Sequence, residues 1–148
     1  DDQDDDRGFR CARVRPEEAI EFSTEEELRA HSGIIAAQSL AHRTATDAGW
    51  YTNLETGEPV ERNFGEVVAL MHSELSEALE HHRKGTMDDK LPNRNGIEVE
   101  FADCILRILD TAAALNLDVA GALIEKNRYN KTRADHKIEA RRGGGKKY

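Results

Sequence analysis

The chain has 148 residues and a formal net charge of −8, with 38% hydrophobic, 34% charged and 5% aromatic residues. This length fits one domain with a sizeable core, and the acidic balance disfavours nucleic acid as the main partner. No apolar run approaches the roughly 18 residues of a membrane span, and no signal peptide is visible. The composition predicts a helical protein with wide polar faces, whose modest core is completed by another subunit.

The N-terminal part is predicted to form an irregular arm over residues 1–22, where five of the first six residues are aspartates. Ser23, with Glu26 three residues later, resembles a capping box, which predicts a short helix over about 24–31. A further amphipathic stretch then continues to about residue 48 and ends at Gly49.

Three more helices are predicted along the rest of the chain, separated by polar loops at 49–63 and 85–96. Asn63 and Asn95 are each followed three residues later by a glutamate, which is a helix start signal, and apolar residues recur after both at helical spacing. Asp118 is a good N-cap for the last helix. These elements predict an all-α fold, an antiparallel four-helix bundle completed by oligomerisation.

The predicted domain spans residues 23–140 and is followed by a flexible basic tail at 141–148. Nine lysines and arginines but only two acids lie between residues 126 and 148, so an acidic body ends in a local positive excess. One hypothesis is that this tail binds nucleic acid, and it predicts that the affinity for nucleic acid falls steeply with salt concentration. Cys11 and Cys104 make no CxxC motif, which favours a reduced, cytoplasmic setting.

Two pairs of carboxylates lie on two consecutive predicted helices. Glu74 and Glu77 are three residues apart, as are Glu100 and Asp103, so each pair shares one helix face at the edge of the apolar stripe. Four carboxylates that meet between adjacent helices raise one another's pKa unless a cation neutralises them. An all-oxygen set of this charge selects Mg²⁺ or Mn²⁺ over zinc. Glutamates at this spacing are also common on solvated faces, and the pattern alone leaves both interpretations open.

Two other metal chemistries are disfavoured by the positions of the histidines. A di-iron bundle requires Glu-x-x-His, and none of the six histidines has a glutamate three residues before it. The HExxH motif of zinc proteases is absent as well. A divalent ion held by carboxylates is therefore the metal chemistry that the sequence favours.

The segment EKNRYNKTR at 125–133 is a second candidate for ligand binding. Four of its side chains share one helix face and offer the donors that hold a polyphosphate: Lys126, Asn127, Asn130 and Arg133. Lys84, at the end of the carboxylate helix, is placed to add another charge. The same run also fits a basic C-terminal turn that complements the helix dipole.

A base pocket is predicted from three residues near the start of the chain. Gln38 and His42 lie four residues apart on a helix and present polar groups to the same side. Trp50 lies on a polar loop, where it serves equally well as a stacking surface for a base or as part of the core.

Three segments together, SELSEALEHHRKG, EVEFADCILRILD and EKNRYNKTR, resemble the MazG-like branch of the all-α nucleoside triphosphate pyrophosphohydrolases. The shared pattern is ExxE, then ExxD, then a Lys/Asn/Arg run, and the match covers about residues 32–133. GWY at 49–51 also looks like the family's aromatic pair. Similar phage-type sequences continue after the arginine with a Pro and a His-Gly, whereas ADHKIEARRGGG stands here. The resemblance implies that the Mg²⁺ ligands are Glu74, Glu77, Glu100 and Asp103, and that the phosphate ligands are Lys126, Asn127, Asn130 and Arg133.

The resemblance also implies an activity and an assembly. The family hydrolyses (deoxy)nucleoside triphosphates to the monophosphate and pyrophosphate, so we expect a Mg²⁺-dependent enzyme of nucleotide-pool control, with Glu77 binding metal and orienting the water. Family members are dimers or dimer pairs, which implies a homodimer or a tetramer. Short versions occur in bacteria and phages, including one that removes dGTP, so a purine (dGTP or GTP) preference is one option. The alternative is a non-catalytic helical dimer that uses these faces for protein contact.

Overall fold

The fold was analysed in a computed structural model, which describes residues 21–142 of the chain. Its elements are the helices α1 (Glu25–Asp47), α2 (Phe64–Lys84), α3 (Gly96–Ala114) and α4 (Val119–Thr132), a 3₁₀ turn (Ala134–His136) and a short helix α5 (Ile138–Arg142). Within these residues β-structure is limited to two isolated bridges, Thr52 to Pro59 and Met87 to Asn95. The all-α prediction is confirmed. Most of the predicted arm at 1–22 and of the predicted tail at 141–148 lies outside the described residues.

Local side-chain caps account for where α2, α3 and α4 begin. Asn63 and Asn95 each accept a hydrogen bond from a backbone N–H in the first turn of the helix that follows. Asp118 caps α4 in the same way, accepting from the N–H of Gly121 at 2.7 Å. α2 ends at Gly85, which has φ of 63° and takes the left-handed conformation that favours glycine. These four boundaries agree with the sequence pattern.

The first helix is longer than the sequence pattern predicts. One continuous helix replaces the expected short helix over 24–31 and separate amphipathic stretch, because Gly33 lies in a solvated part of the helix and an interior glycine costs only about 1 kcal/mol. Its N-cap is Thr24 rather than Ser23, and Thr24 accepts from the N–H of Glu27 at 3.2 Å. Ser23 instead donates its backbone N–H and its hydroxyl to the Glu27 carboxylate.

The helix contacts place α3 between its neighbours: α2 packs against α3, and α1 packs against both α3 and α4. The buried hydrophobic side chains are mostly small or medium-sized, and they are Ala41, Val67, Ala78, Cys104, Leu109, Ala112, Ala120 and Ile124. Larger apolar side chains of α2 and α3 are about half exposed, among them Leu75, Leu79, Phe101 and Ile105. In the described part of the chain, no helix has the length and apolar character needed to cross a bilayer.

Candidate metal centre and adjoining cavity

Three carboxylates meet between α2 and α3. Oxygen atoms of Glu74, Glu77 and Glu100 all lie within 4.8 Å of one another. Glu74 and Glu100 are buried, with 6% and 7% of their surface exposed, whereas Glu77 is exposed. The helices are close here, since the thiol of Cys104, one turn after Glu100, donates to the Met71 carbonyl oxygen at 3.7 Å. The surface between α2 and α3 that holds these carboxylates is called the seam below.

Burial and the neighbouring carboxylates raise the pKa of Glu100. Burial is the largest cause that raises its pKa above the ordinary value, and a hydrogen bond with Glu74 acts in the same direction. The charges of Glu77, Glu74 and Asp103 raise the pKa further. A divalent cation relieves the same repulsion, and an all-oxygen donor set of this charge suits Mg²⁺ or Mn²⁺. The residues present therefore fit such an ion.

Asp103, the fourth predicted ligand, lies outside this group of three. It is exposed, and it acts on Glu100 through its charge. The spacing does not account for the difference, because Glu74 and Glu77 are also three residues apart and both belong to the group. The packing of α2 on α3 buries Glu100 in the seam and leaves Asp103 at its rim.

Arg107 is a residue of the site that the sequence analysis missed. Its Nε donates a hydrogen bond of 2.7 Å to Oε1 of Glu74, which joins α3 to α2. Arg107 is the only basic residue in α3, and it lies four residues after Asp103 and seven after Glu100. This spacing returns it to the carboxylate face of the helix, and a lone cation at that position was the signal available in the sequence.

His81 and Asp88 extend the set of possible metal ligands beyond Glu100. Ligand atoms of these three residues also lie within 4.8 Å of one another. His81 Nε2 is 3.5 Å from Oε1 of Glu100, and its Nδ1 is 2.8 Å from the Thr86 hydroxyl. A β-carbon at Gly96 would lie 2.1 Å from the His81 ring, so glycine at the start of α3 makes room for the imidazole. Asp88 also accepts two backbone N–H groups of its own loop, which gives it a structural role.

A cavity of about 440 Å³ lies near the start of α2 and the end of α3, and none of the three clustered carboxylates lines it. It is lined by the C-terminal half of α1, the following loop, the start of α2 and the end of α3, and its ring-bearing residues are His42, Tyr51 and Phe64. Val67 also lines it, and Val67 lies two turns of α2, or about 10 Å, before Glu74. Both residues are buried on the side of α2 that faces α3, so the cavity and the carboxylates lie at different levels of the same α2–α3 interface.

Asp110, a buried residue of α3, holds three residues of the cavity wall in place. Its Oδ1 is 2.9 Å from Nδ1 of His42 and accepts a hydrogen bond of 2.8 Å from the Tyr51 hydroxyl. Its Oδ2 accepts from Nη1 of Arg62 at 3.5 Å. Burial and the bond to Asp110 raise the pKa of Tyr51, which keeps the phenol protonated as a donor. One carboxylate therefore fastens the loop after α1 to the helix layer.

Of the three residues predicted for a base pocket, His42 is the one that lines this cavity. Gln38 instead donates from Nε2 to the Leu117 carbonyl oxygen at 3.5 Å. Trp50 is 63% exposed, and the Arg62 guanidinium lies 5.6 Å from the centre of its ring. Trp50 therefore does not fill a core position, and the structure places His42 with Tyr51 and Arg62.

The residues predicted to hold phosphate lie on α4, which packs against α1. Arg133 forms two hydrogen bonds with the Asp135 carboxylate, of 3.0 and 2.5 Å. Nζ of Lys126 is 4.8 Å from the centre of the Tyr129 ring. Oδ1 of Asn130 is buried and has no hydrogen-bond partner among the described residues.

The two remaining phosphate ligands of the prediction lie at the surface. Lys84 pairs with Glu80 at 2.8 Å near the exposed end of α2, and Asn127 is exposed on α4. Within residues 21–142, no ion pair or hydrogen bond joins any of the predicted phosphate ligands to the three carboxylates. The structure thus brings together three of the four predicted metal ligands, and it leaves the basic face apart from them.

Comparisons with known proteins add no relative to these observations. No protein-family model matches the chain, and neither curated proteins nor solved structures gave a match. The resemblance to the MazG-like branch stays a prediction that rests on the three sequence motifs.

Proposed function

We propose that this chain is a divalent-metal-dependent nucleoside triphosphate pyrophosphohydrolase, as the resemblance to the MazG-like branch implies. The observation that carries the proposal is the convergence of Glu74, Glu77 and Glu100 within 4.8 Å in the seam. Burying two of these carboxylates beside the third is unfavourable unless a cation or a proton compensates them. Solvated surface glutamates have no such requirement, so the geometry favours a binding role.

In this proposal the buried and the exposed carboxylates have different roles. Glu74 and Glu100 would hold the ion from inside the seam, and the exposed Glu77 would orient a water toward the α-phosphorus of the substrate. Mg²⁺ or Mn²⁺ held there would supply Lewis-acid chemistry. Asp103 would complete the set of ligands from the rim. Attack by the water breaks the bond to the leaving pyrophosphate and gives the nucleoside monophosphate.

The cavity is the proposed place for the base. Its ring-bearing residues His42 and Tyr51 offer surfaces for stacking, which suits a flat heterocycle. Val67, in the wall of the cavity, lies about 10 Å from Glu74 along α2. The sugar and phosphates of a nucleotide span such a distance. The substrates that the resemblance suggests are purine nucleoside triphosphates, and dGTP and GTP are the ones to test first.

The resemblance assigns the phosphates to the basic face of α4 together with Lys84, and because this face lies apart from the carboxylates of its own chain, we propose that it serves the seam of a partner chain. Arg133 is paired with Asp135, and a phosphate oxygen can take the place of that carboxylate because a guanidinium binds both in the same forked geometry. Lys126 and Asn127 are exposed and present further donors.

We further propose an antiparallel four-helix bundle that functions in the cytoplasm as a homodimer or a tetramer. The support comes from packing: the buried core consists mostly of small side chains, while apolar residues of α2 and α3 remain about half exposed. Exposed apolar stripes of this kind are typical of surfaces that another chain covers.

Glu77→Gln tests the proposed activity. Wild-type protein is incubated with Mg²⁺ and each canonical dNTP and NTP, and the products are resolved as monophosphate plus pyrophosphate or as diphosphate plus phosphate. We expect pyrophosphate release from at least one substrate, and a loss of about a hundredfold or more in Glu77→Gln with its helicity unchanged. Glu66→Gln is the matched control, because Glu66 is an exposed glutamate on the same helix. Undiminished pyrophosphate release by Glu77→Gln contradicts the proposal.

The second candidate function, a non-catalytic helical dimer, is favoured by the same exposed apolar side chains. It predicts no change in melting temperature with Mg²⁺ and no nucleotide binding. A thermal-shift assay with Mg²⁺ and each nucleotide separates the two candidates.

A further inference from the structure

Arg107 places a fixed positive charge against Glu74, one of the three clustered carboxylates. Its Nε lies 2.7 Å from Oε1 of Glu74, whose side chain is 8% exposed, while the Arg107 side chain is 36% exposed. No other arginine or lysine among residues 21–142 forms an ion pair with Glu74, Glu77 or Glu100. A single guanidinium thus supplies the permanent positive charge in contact with this group.

A divalent ion and this guanidinium compete for the same carboxylate. Mg²⁺ binds a carboxylate oxygen at about 2.1 Å, so an ion on Glu74 would lie within a few ångströms of the Arg107 charge. Repulsion between two cations at that separation is strong where one side chain is buried and the other only partly solvated. A metal bound to Glu74 therefore weakens the ion pair with Arg107, and the ion pair weakens metal binding.

We infer that Arg107 is the resident counter-cation of the metal-free site, and that a divalent ion displaces it from Glu74. The displaced guanidinium lies on the same helix face as Asp103, one turn later, at the exposed rim of the seam. At the rim the Arg107 guanidinium contacts the phosphates of an incoming substrate and binds their oxygen atoms in a forked geometry. The phosphate step rests on the proposed function, but the competition with metal requires no nucleotide.

The rival role for Arg107 is a purely orienting one, and it predicts the opposite change in metal affinity. A hydrogen bond that holds a metal ligand in place typically strengthens metal binding by about 10–100-fold, so its loss weakens binding. Loss of a competing cation strengthens binding instead. The sign of the change in Mg²⁺ affinity distinguishes the two roles.

The test is a calorimetric titration of the full chain with Mg²⁺ alone. We expect Arg107→Gln to lower the Kd for Mg²⁺ by about tenfold, since one nearby positive charge has been removed. Arg94→Gln is the matched control, because Arg94 carries the same charge but pairs with Glu98 at 69% and 61% side-chain exposure near the start of α3. Its Kd should equal that of the wild type.

Folding of the variants is followed in parallel by thermal melting. Arg107→Gln leaves Glu74 buried without its cation, so its melting temperature should fall without metal and recover more strongly with Mg²⁺ than that of the wild type. Arg107→Lys keeps the charge, so its Kd for Mg²⁺ should stay close to that of the wild type. Arg107→Met removes the charge and keeps a long side chain, so it should lower the Kd as Arg107→Gln does, and it carries the test if Arg107→Gln does not fold.

Unchanged or weaker Mg²⁺ binding in a folded variant that has lost the Arg107 charge overturns the inference, and so does a wild type that binds no Mg²⁺ or Mn²⁺. Pyrophosphate release is measured separately from the titrations. A protein that binds Mg²⁺ more tightly after Arg107→Gln but hydrolyses no nucleoside triphosphate retains the inference about metal competition and overturns the proposed function alone.

Discussion

Glu100 is the single residue at which stability and binding conflict most clearly. It is 7% exposed, and burial, the hydrogen bond with Glu74 and the neighbouring carboxylates, in that order, raise its pKa. Such an arrangement opposes folding, because desolvation and like charges both disfavour the ionised form. Perturbed carboxylates of this kind cluster where a protein binds or transforms a ligand. An unfavourable cluster in the seam is therefore an argument for a site.

Glu100→Gln should separate the two effects at this residue. The amide keeps the shape of the side chain and removes a charge, so the metal-free protein should melt higher, by about 2–4 °C, the shift that roughly 1 kcal/mol produces in a chain of this size. The rise in melting temperature that Mg²⁺ gives the wild type should disappear in the variant. Melting curves at neutral pH with and without Mg²⁺ measure both quantities. Glu98→Gln, which alters an exposed pair with Arg94, is the control and should change neither. A metal-free variant that melts lower than the wild type would identify Glu100 as a stabilising contact.

At the scale of secondary-structure elements, one ion pair joins the first helix to the last long one. Arg128 on α4 donates from Nε and Nη2 to the two carboxylate oxygens of Glu27 on α1, at 3.1 and 2.6 Å. The Arg128 hydrogen bond is the largest cause that lowers the pKa of Glu27 to about 2. The basic residues of α4 therefore have different roles, and Arg128 stabilises the packing of α4 against α1.

The Glu27–Arg128 pair predicts a specific acid sensitivity. Because folding lowers the pKa of Glu27 from 4.5 to about 2, its contribution to stability is fully present above pH 4.5 and is lost as the pH falls toward 2. The free energy of unfolding of the wild type should exceed that of Arg128→Gln at neutral pH, and the difference should shrink between pH 4.5 and pH 2. Urea unfolding across this range measures it. Arg29→Gln removes an exposed partner of Glu25 on α1 and should show no such dependence. A difference that stays constant through the acid range would exclude the pair as its source.

Sequence predicts the elements here better than it predicts how they are rotated against one another. The start of α2 follows from Asn63, whose side chain caps its own helix, so the signal is local. The carboxylate spacing likewise predicts the meeting of Glu74 with Glu100. Spacing does not determine which neighbours lie in the seam and which at its rim, so the roles of Asp103 and Arg107 emerge only from the packed helices. The bonds that Asp110 makes to the distant loop after α1 have no local signal at all.

At the scale of the whole molecule, the distribution of apolar side chains favours self-association. Leu75 and Leu79 form one exposed stripe on α2, and Phe101 and Ile105 form another on α3, although these two helices pack directly on each other. The residues that face inward at the same level are carboxylates and small side chains, so a single chain cannot bury its large apolar groups there. A second copy that covers these stripes would supply the missing core.

If the stripes are covered by a second copy, Ile105→Glu should lower the mass of the protein in solution. The charge lies on the exposed stripe of α3, where it leaves the folded single chain intact but is unfavourable once a second copy covers it. Sedimentation should show a lower mass for Ile105→Glu, while Leu54→Glu, at an 84% exposed leucine on the loop after α1, should keep the mass of the wild type. Equal masses for the wild type, Ile105→Glu and Leu54→Glu would show that no second copy covers the stripes. The three clustered carboxylates and Arg107 all belong to one chain. A dissociated Ile105→Glu that still binds Mg²⁺ would thus show that metal binding belongs to the seam and that assembly is a separate property of its outer face.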